Sequence, residues 1–247
     1  MKRLIHRTVN RLGYRLIKIE PPKPPQEASM RPLFLSLMQG GFEPRCIIDV
    51  GANRGIWTRS ALKFFPRSKF VMVEPQAELK PYSSDLLQPN GQVKWITAGV
   101  ADQKGVLPFH ISHRDDSCSF IDGWSAPPSD GQTTVDVEVT TLNEIARLYC
   151  PEGADIVKID AEGVDLKVLA GASKLLGKTD VFLVEAAVFP RAENSLAEVV
   201  CTMTAAGYHT AEITDVNRSP KHGIAWLCEL AFLRNGCSWL DGVQSYE

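Results

Sequence analysis

The chain has 247 residues, 44% apolar and 23% charged, and its 27 Lys and Arg against 29 Asp and Glu leave a formal net charge of −2. That length and composition fit one globular domain with a full core and room for an appendage. The near balance of charge excludes a chain-wide nucleic-acid footprint, and no apolar run approaches the ~20 residues that cross a bilayer.

The first element predicted is a helix. In "MKRLIHRTVNRLGYRLIKIE", Ile5, Val9, Leu12 and Leu16 recur at helical spacing, with Lys2, Arg3, Arg7, Arg11, Arg15 and Lys18 on the other faces. Two readings stand: a helix packed on the domain with solvated charges, or a basic amphipathic helix, residues 1–20, resting on an anionic membrane surface or a partner. The arginines interrupt any signal-peptide core. "PPKPPQ", Pro21–Gln26, is a polyproline-like spacer, so residues 1–29 read as an appendage and 30–247 as the domain.

From Arg31 the pattern alternates. "CIIDV" reads as a buried strand and "IWTRSALKFF" as a helix, followed by the strand "KFVMVEP" and a helix over Gln76–Gln88 despite Pro81. "VKWITAGV" is a strand. Next, "GVLPFHIS", "DDSCSFID" and "TTVDVEVTT" lack helical period and read as a β-rich insertion. "LNEIARLY", "VDLKVLAGASKLL" and "SLAEVVCTMTAAG" are helices; "DIVKID", "DVFLVEAAV", "YHTAEIT" and "IAWLCELAFL" are strands. Strands alternating with helices predict crossover units and a mainly parallel α/β sheet with helices on both faces. The six cysteines, Cys46, Cys118, Cys150, Cys201, Cys228 and Cys237, form no C-x-x-C pair, which argues against a metal knuckle. They read as reduced thiols of a cytoplasmic protein.

In such sheets ligands bind where strands end and strand order reverses. "DVGANRG" follows the first strand, with Gly51 and Gly55 free to turn tightly and to approach a ligand. Its G-x-x-x-G spacing fits neither G-x-G-x-x-G nor G-x-x-x-x-G-K-[ST]. Asp49, just before the turn, would repel a phosphate and suit a cationic group. Glu74, ending the second strand about twenty residues on, stands where an acid takes ribose hydroxyls. A ribose with an amine or sulfonium in place of the phosphate describes S-adenosyl-L-methionine. A generic turn with an unrelated glutamate is the bland alternative.

These stretches resemble those of the FkbM-type S-adenosylmethionine-dependent methyltransferases. "IIDVGANRGIWT", "VEP", "AGVADQKG", "VEVTTLNEI", "VKIDAEGVDLKVLAGA" and "FLVEAAV" stand in the family's order, over roughly Pro44 to Gly207. The resemblance implies a Rossmann-like class I methyltransferase fold with a seven-stranded sheet. It implies a donor held by Asp49, Gly51, Ala52, Asn53, Gly55, Glu74, Gly99, Val100 and Asp160, and an acceptor that is a sugar, glycolipid or secondary metabolite. Two departures are visible: Asn143 replaces the usual aspartate, and Val164-Asp165 keeps an acid after a changed neighbour.

That fold would set the strands ending at Asp49, Asp160 and Glu185 side by side, about 4.8 Å apart. A sulfonium donor is already activated, so the protein aligns it with the acceptor and supplies a base for a hydroxyl proton. Asp160, Glu162 and Glu185 are the candidate bases, with Lys158 on the Asp160 face of its strand to tune them. The rival arrangement has the carboxylates hold Mg²⁺. The insertion "HISHRDDSCSFIDGW" reads either as a polar hairpin or as an acceptor lid, with Asp116, Ser117 and Ser119 as contacts and His113 as a candidate base. Trp57, Trp95 and Trp226 read as core. Two other functions remain open: a non-catalytic donor-binding module, which Asn143 favours, and a nucleotide-dependent oxidoreductase.

Overall fold

A computed structural model of the chain describes residues 29–89, 91–112, 117–121, 133–189 and 194–237. The amphipathic stretch 1–20, the spacer Pro21–Gln26, and His113, Asp116 and Trp124 lie outside the described residues.

Helix α1, Met30–Gln39, opens on Ser29, whose hydroxyl accepts the Arg31 N–H at 3.2 Å, and buries Leu33, Phe34 and Leu37 on one face. Strand β1, Cys46–Val50, is buried at every position. Helix α2 is Ile56–Leu62 and strand β2 is Lys69–Glu74. The helix expected over Gln76–Gln88 is reduced to one 3-10 segment, Ala77–Ser83, with Pro81 inside it. Pro81 has no N–H to continue an α-helical ladder. Strands β3, Val93–Thr97, and β4, Gly99–Val100, follow. Next come β5, Gly105–Ile111, and β6, Thr133–Thr140. Helix α3 is Leu142–Tyr149, β7 is Ile156–Ile159, α4 is Asp165–Ala170 and β8 is Val181–Ala187. Helix α5, Leu196–Ala205, starts from a capping box in which Ser195 and Glu198 bond reciprocally. It stops at Gly207, at φ 89°. Strands β9, Tyr208–Arg218, and β10, Ala225–Arg234, close the described chain.

Seven strands form one sheet in the order β3-β2-β1-β7-β8-β10-β9. β10 runs antiparallel to both neighbours and the other pairings are parallel. This is the mainly parallel seven-stranded sheet that the resemblance implies. Chain order reverses between β1 and β7, so the turns after β1, β2 and β7 open onto one edge. The insertion is a separate three-stranded sheet, β4-β6-β5. Alternate residues of the central strands feed two apolar cores: Ile48, Val157, Phe182 and Leu230 on one face, Ile47, Ile156, Leu183 and Ala231 on the other. Full burial of such side chains contributes roughly 1.5–3 kcal/mol each.

The reading of six reduced thiols fails at one pair. Cys46, at the head of β1, and Cys150, just past α3, form a disulfide with Cα atoms 5.9 Å apart. They lie 104 residues apart in sequence, so no short spacing marks them. The cytoplasmic inference drawn from reduced cysteines loses that support. No helix among the described residues is long and apolar enough to cross a membrane.

Candidate active site

A partly open cavity of about 90 Å³ lies at the carboxyl edge. Its walls are Val50, Gly51 and Asn53 after β1, Val73 to Gln76 at the end of β2, and Asp160 to Glu162 after β7. Gly99 and Val100 of β4, with Phe109, Cys118 and Phe120 of the insertion, close the far side.

The glycines of the turn serve packing more than ligand approach. Gly51 has φ 72°, and a Cβ there would lie 1.7 Å from the Asp160 carbonyl oxygen. This close contact locks the β1 turn to the β7 loop. A Cβ on Gly55 would meet Met72, Ser83 and Leu86 at 2.9 Å, and Ala52 is buried in the core beneath the turn. Asn53 carries the recognition geometry: at φ 45° its N–H donates to Glu74 Oε2 at 2.8 Å. The Gln76 N–H and side-chain amide donate to Glu74 Oε1 at 3.0 and 3.3 Å. Glu74 is 3% exposed, and burial raises its carboxyl above the ordinary range. A carboxylate accepts about four hydrogen bonds, so three leave room for another donor.

Asp49 does not face the cavity. It is fully buried, accepts the Thr58 hydroxyl at 2.6 Å, and lies 3.7 Å from Lys158 Nζ. The cation beside it is therefore a lysine of the chain. β1 and β7 pair with Asp49 opposite Lys158. Lys158 also donates to Asp160 Oδ2 at 3.0 Å. Burial pulls the Lys158 pKa down, but Asp160, Asp49 and Glu229 overcome it, and the net shift is upward. The lysine thus stays charged among these acids.

Glu185 lies on β8 opposite Glu229 of β10. Its Oε2 is buried and makes no hydrogen bond. Burial, with the charges of Asp160, Glu162 and Asp165, pushes its pKa well above the usual carboxylate range. Glu229 Oε1 accepts the Thr214 hydroxyl at 2.5 Å, and burial pushes Glu229 up to about 7. Neither Glu229 nor Thr214 was singled out from sequence; the only signal was an acid inside the apolar run "IAWLCELAFL".

The loop after β7 is held by residues that sequence reasoning also missed. Glu162 is left-handed at φ 49°. Asp165 accepts the N–H groups of Ala161 at 2.9 Å and Gly163 at 3.2 Å, and the Asn194 amide at 2.8 Å. Asn194 also donates to the Glu185 carbonyl, tying the loop to β8. Asp165 was noticed only as an acid kept within a motif. Nothing local marked Asn194.

The described part of the insertion meets the cavity through Ser119 and two rings. Ser119 is 2% exposed; its hydroxyl donates to the Glu162 carbonyl at 2.6 Å and accepts the Ile121 N–H at 2.9 Å. It is a strut between the insertion and the loop after β7. Ser117 is half-buried two residues before it. Phe109 and Phe120 pack at 4.8 Å and wall the cavity, and a Cβ on Gly99 would come within 2.3 Å of the Phe120 ring. Asn143 is far from this chemistry in role. Its amide donates to Ser173 and its carbonyl accepts the Lys174 N–H, bracing α3 to the turns after α4. The one feature favouring a non-catalytic module is thereby a structural brace. Among the described residues no group of three His, Cys, Asp or Glu side chains is arranged to hold a metal ion.

The Methyltransferase FkbM domain family matches residues 49–210, which contain the turn, the Glu74 strand end, the Lys158–Asp165 stretch and Glu185. Methyltransferase sdnD of Sordaria araneosa is 26% identical over 160 residues, covering 52% of this chain and 60% of that one. The 2-O-methyltransferase NoeI of Sinorhizobium fredii is 23% identical over 144 residues, covering 54% of this chain and 59% of that one. The chain thus spans less than two thirds of the length of either relative. Among solved structures it is similar to magnesium protoporphyrin IX methyltransferase of Synechocystis, at TM-score 0.45 and 11% identity over 95% of this chain and 97% of that one. With its match running through the turn and the three acid-bearing strands, this chain belongs to the FkbM methyltransferase domain family.

Proposed function

We propose that the chain transfers a methyl group from S-adenosyl-L-methionine to a hydroxyl oxygen of a small-molecule or glycan acceptor. The observation that carries this reading is the buried, unpartnered Oε2 of Glu185 beside Asp160 and Glu162, which line the cavity. The cavity's chemistry suits the donor. Phe109 and Phe120 offer apolar faces to a purine, Glu74 has acceptor capacity for a ribose hydroxyl, and Asp160 and Glu162 supply negative charge for a sulfonium. When bound, the donor supplies an activated methyl group. The chain's own residues hold it in line with the acceptor oxygen, keep water out, and take the hydroxyl proton. Glu185 is the base this geometry favours, because it lacks a competing donor and its raised pKa makes it a stronger proton acceptor. Asp160 is committed to Lys158 and orients the site through that bond. An acceptor class of sugars or related polyols agrees with the several carboxylates along the edge and with the 2-O-methyltransferase relative.

Calorimetric titration with S-adenosylhomocysteine, beside NAD and ATP, tests the donor. The reading expects saturable binding of the thioether alone, weakened at least tenfold by Glu74→Ala. Binding of NAD without the thioether would replace it with the oxidoreductase reading.

A further inference from the structure

The loop after β7 carries a backbone irregularity that core packing does not explain. Glu162 lines the cavity and is left-handed at φ 49°, a conformation that a glutamate seldom adopts. Such strain persists only where the surroundings fix it. Asp165 fixes it from both sides: its Oδ1 accepts the N–H of Ala161 and its Oδ2 the N–H of Gly163, the residues before and after Glu162. Asp165 is held in turn by Asn194, whose amide donates to Asp165 Oδ2 at 2.8 Å and to the Glu185 carbonyl at 3.0 Å. The backbone carbonyl of Asn194 accepts the Ala187 N–H at 2.8 Å. Asn194 is itself left-handed at φ 61°, and both it and Asp165 are buried. Among the described residues the Asn194 Oδ1 is buried and makes no hydrogen bond. The fold thus leaves one polar atom unsatisfied while the amide beside it clamps the loop to β8, which is a cost to stability.

We propose that Asp165 and Asn194 are positioning residues that hold Glu162 against the sulfonium, so that the site distinguishes the charged donor from its neutral thioether product. This rests on the methyl-transfer reading and adds which residues set the recognition of the donor's charge. Asp160 lines the same wall, but Lys158 donates to it and offsets its charge. Glu74, on the opposite wall, already takes the N–H groups of Asn53 and Gln76. Glu162 is the acid whose place depends on the clamp, through the amides on either side of it. Attraction between a carboxylate and a sulfonium weakens as the two separate, whereas a thioether carries no charge to lose it. Loosening the clamp therefore costs the donor more than the product.

The test is calorimetric titration of the full chain with S-adenosylmethionine and with S-adenosylhomocysteine, in the wild type, Asn194→Gly, Glu162→Gln and the double variant. Glycine keeps the left-handed backbone and removes only the side chain. Asn194→Gly should lower affinity for S-adenosylmethionine by about fivefold or more and leave that for the thioether within about twofold. Glu162→Gln should do the same, and adding Asn194→Gly to it should change the donor's affinity by less than about twofold, because the clamp acts through that acid. An equal loss for both ligands overturns the proposal, and so does an undiminished effect of Asn194→Gly in the Glu162→Gln background. Should Asn194→Gly not fold, Asn194→Asp carries the same comparison, since aspartate also tolerates the left-handed backbone. Undiminished donor affinity in Glu162→Gln, at a half-buried position, overturns the proposal whether or not either Asn194 variant folds. If the wild type binds both ligands and the variants keep its affinity ratio, the clamp falls alone; if the wild type binds neither, the methyl-transfer reading falls and takes the clamp with it.

Discussion

Lys158 Nζ donates to Asp160 Oδ2 at 3.0 Å while lying 3.7 Å from Asp49 Oδ1, and it is itself 4% exposed. One cation thus serves a fully buried acid on β1 and a cavity-lining acid after β7. The bond explains a lysine inside a central strand: unpaired it would cost several kcal/mol, but ringed by acids it stays charged.

Lys158→Met should destabilise the fold by about 3–5 kcal/mol, because it leaves Asp49 buried without its counter-charge. Urea unfolding measures this. Asp49→Asn in the same background should recover part of the loss, and no recovery would show that the two residues are not coupled.

Methyl transfer should rise with pH along a limb governed by Glu185. A raised pKa means the proton is held to higher pH, so the basic form appears above the ordinary carboxylate range. Glu185→Gln should lower turnover on the order of 10²-fold or more and remove that limb, with S-adenosylhomocysteine affinity nearly unchanged. An unchanged pH profile in the variant would move the base elsewhere.

Glu229 makes stability itself depend on pH. Its carboxyl titrates at about 7 in the fold against 4.5 for an ordinary glutamate, so between those values the native state keeps a proton that the unfolded chain has lost. Stability from this group is present below about pH 4.5 and is lost as pH rises toward 7. The change is on the order of a few kcal/mol. Unfolding of wild type and Glu229→Gln at pH 5 and pH 8 should show a smaller pH difference in the variant.

Ser119→Ala should cost about 1–3 kcal/mol by leaving the Ile121 N–H and the Glu162 carbonyl without their shared partner. Since that hydroxyl joins the insertion to the loop walling the cavity, thioether affinity should fall several-fold. Calorimetry of the folded variant checks this, and unchanged affinity would separate the strut from donor binding.

Much of the fold was legible because its cause is local. Strands apolar but for one acid each, "CIIDV" and "VFLVEAA", sit where both faces are covered, and their alternation with amphipathic helices forces a parallel sheet. The turn after β1 and the acid ending β2 could be placed from spacing, because a crossover unit has nearly fixed length. The ordered motifs from "IIDVGANRG" to "FLVEAAV" named the family before any coordinates did. The sequence by itself thus determined the sheet, the edge where the cavity opens and the family. Tertiary structure alone decided what each acid faces. Asp49 turned inward to Lys158, Ser119 became a strut, and Glu229 and Asn194 joined the site from strands and loops far along the chain. Cys46 met Cys150 across 104 residues, and Phe189 met Trp226 across two antiparallel strands. Such partners are set by strand order and register, which bring distant residues within a few ångströms and leave no periodicity in the chain to read beforehand.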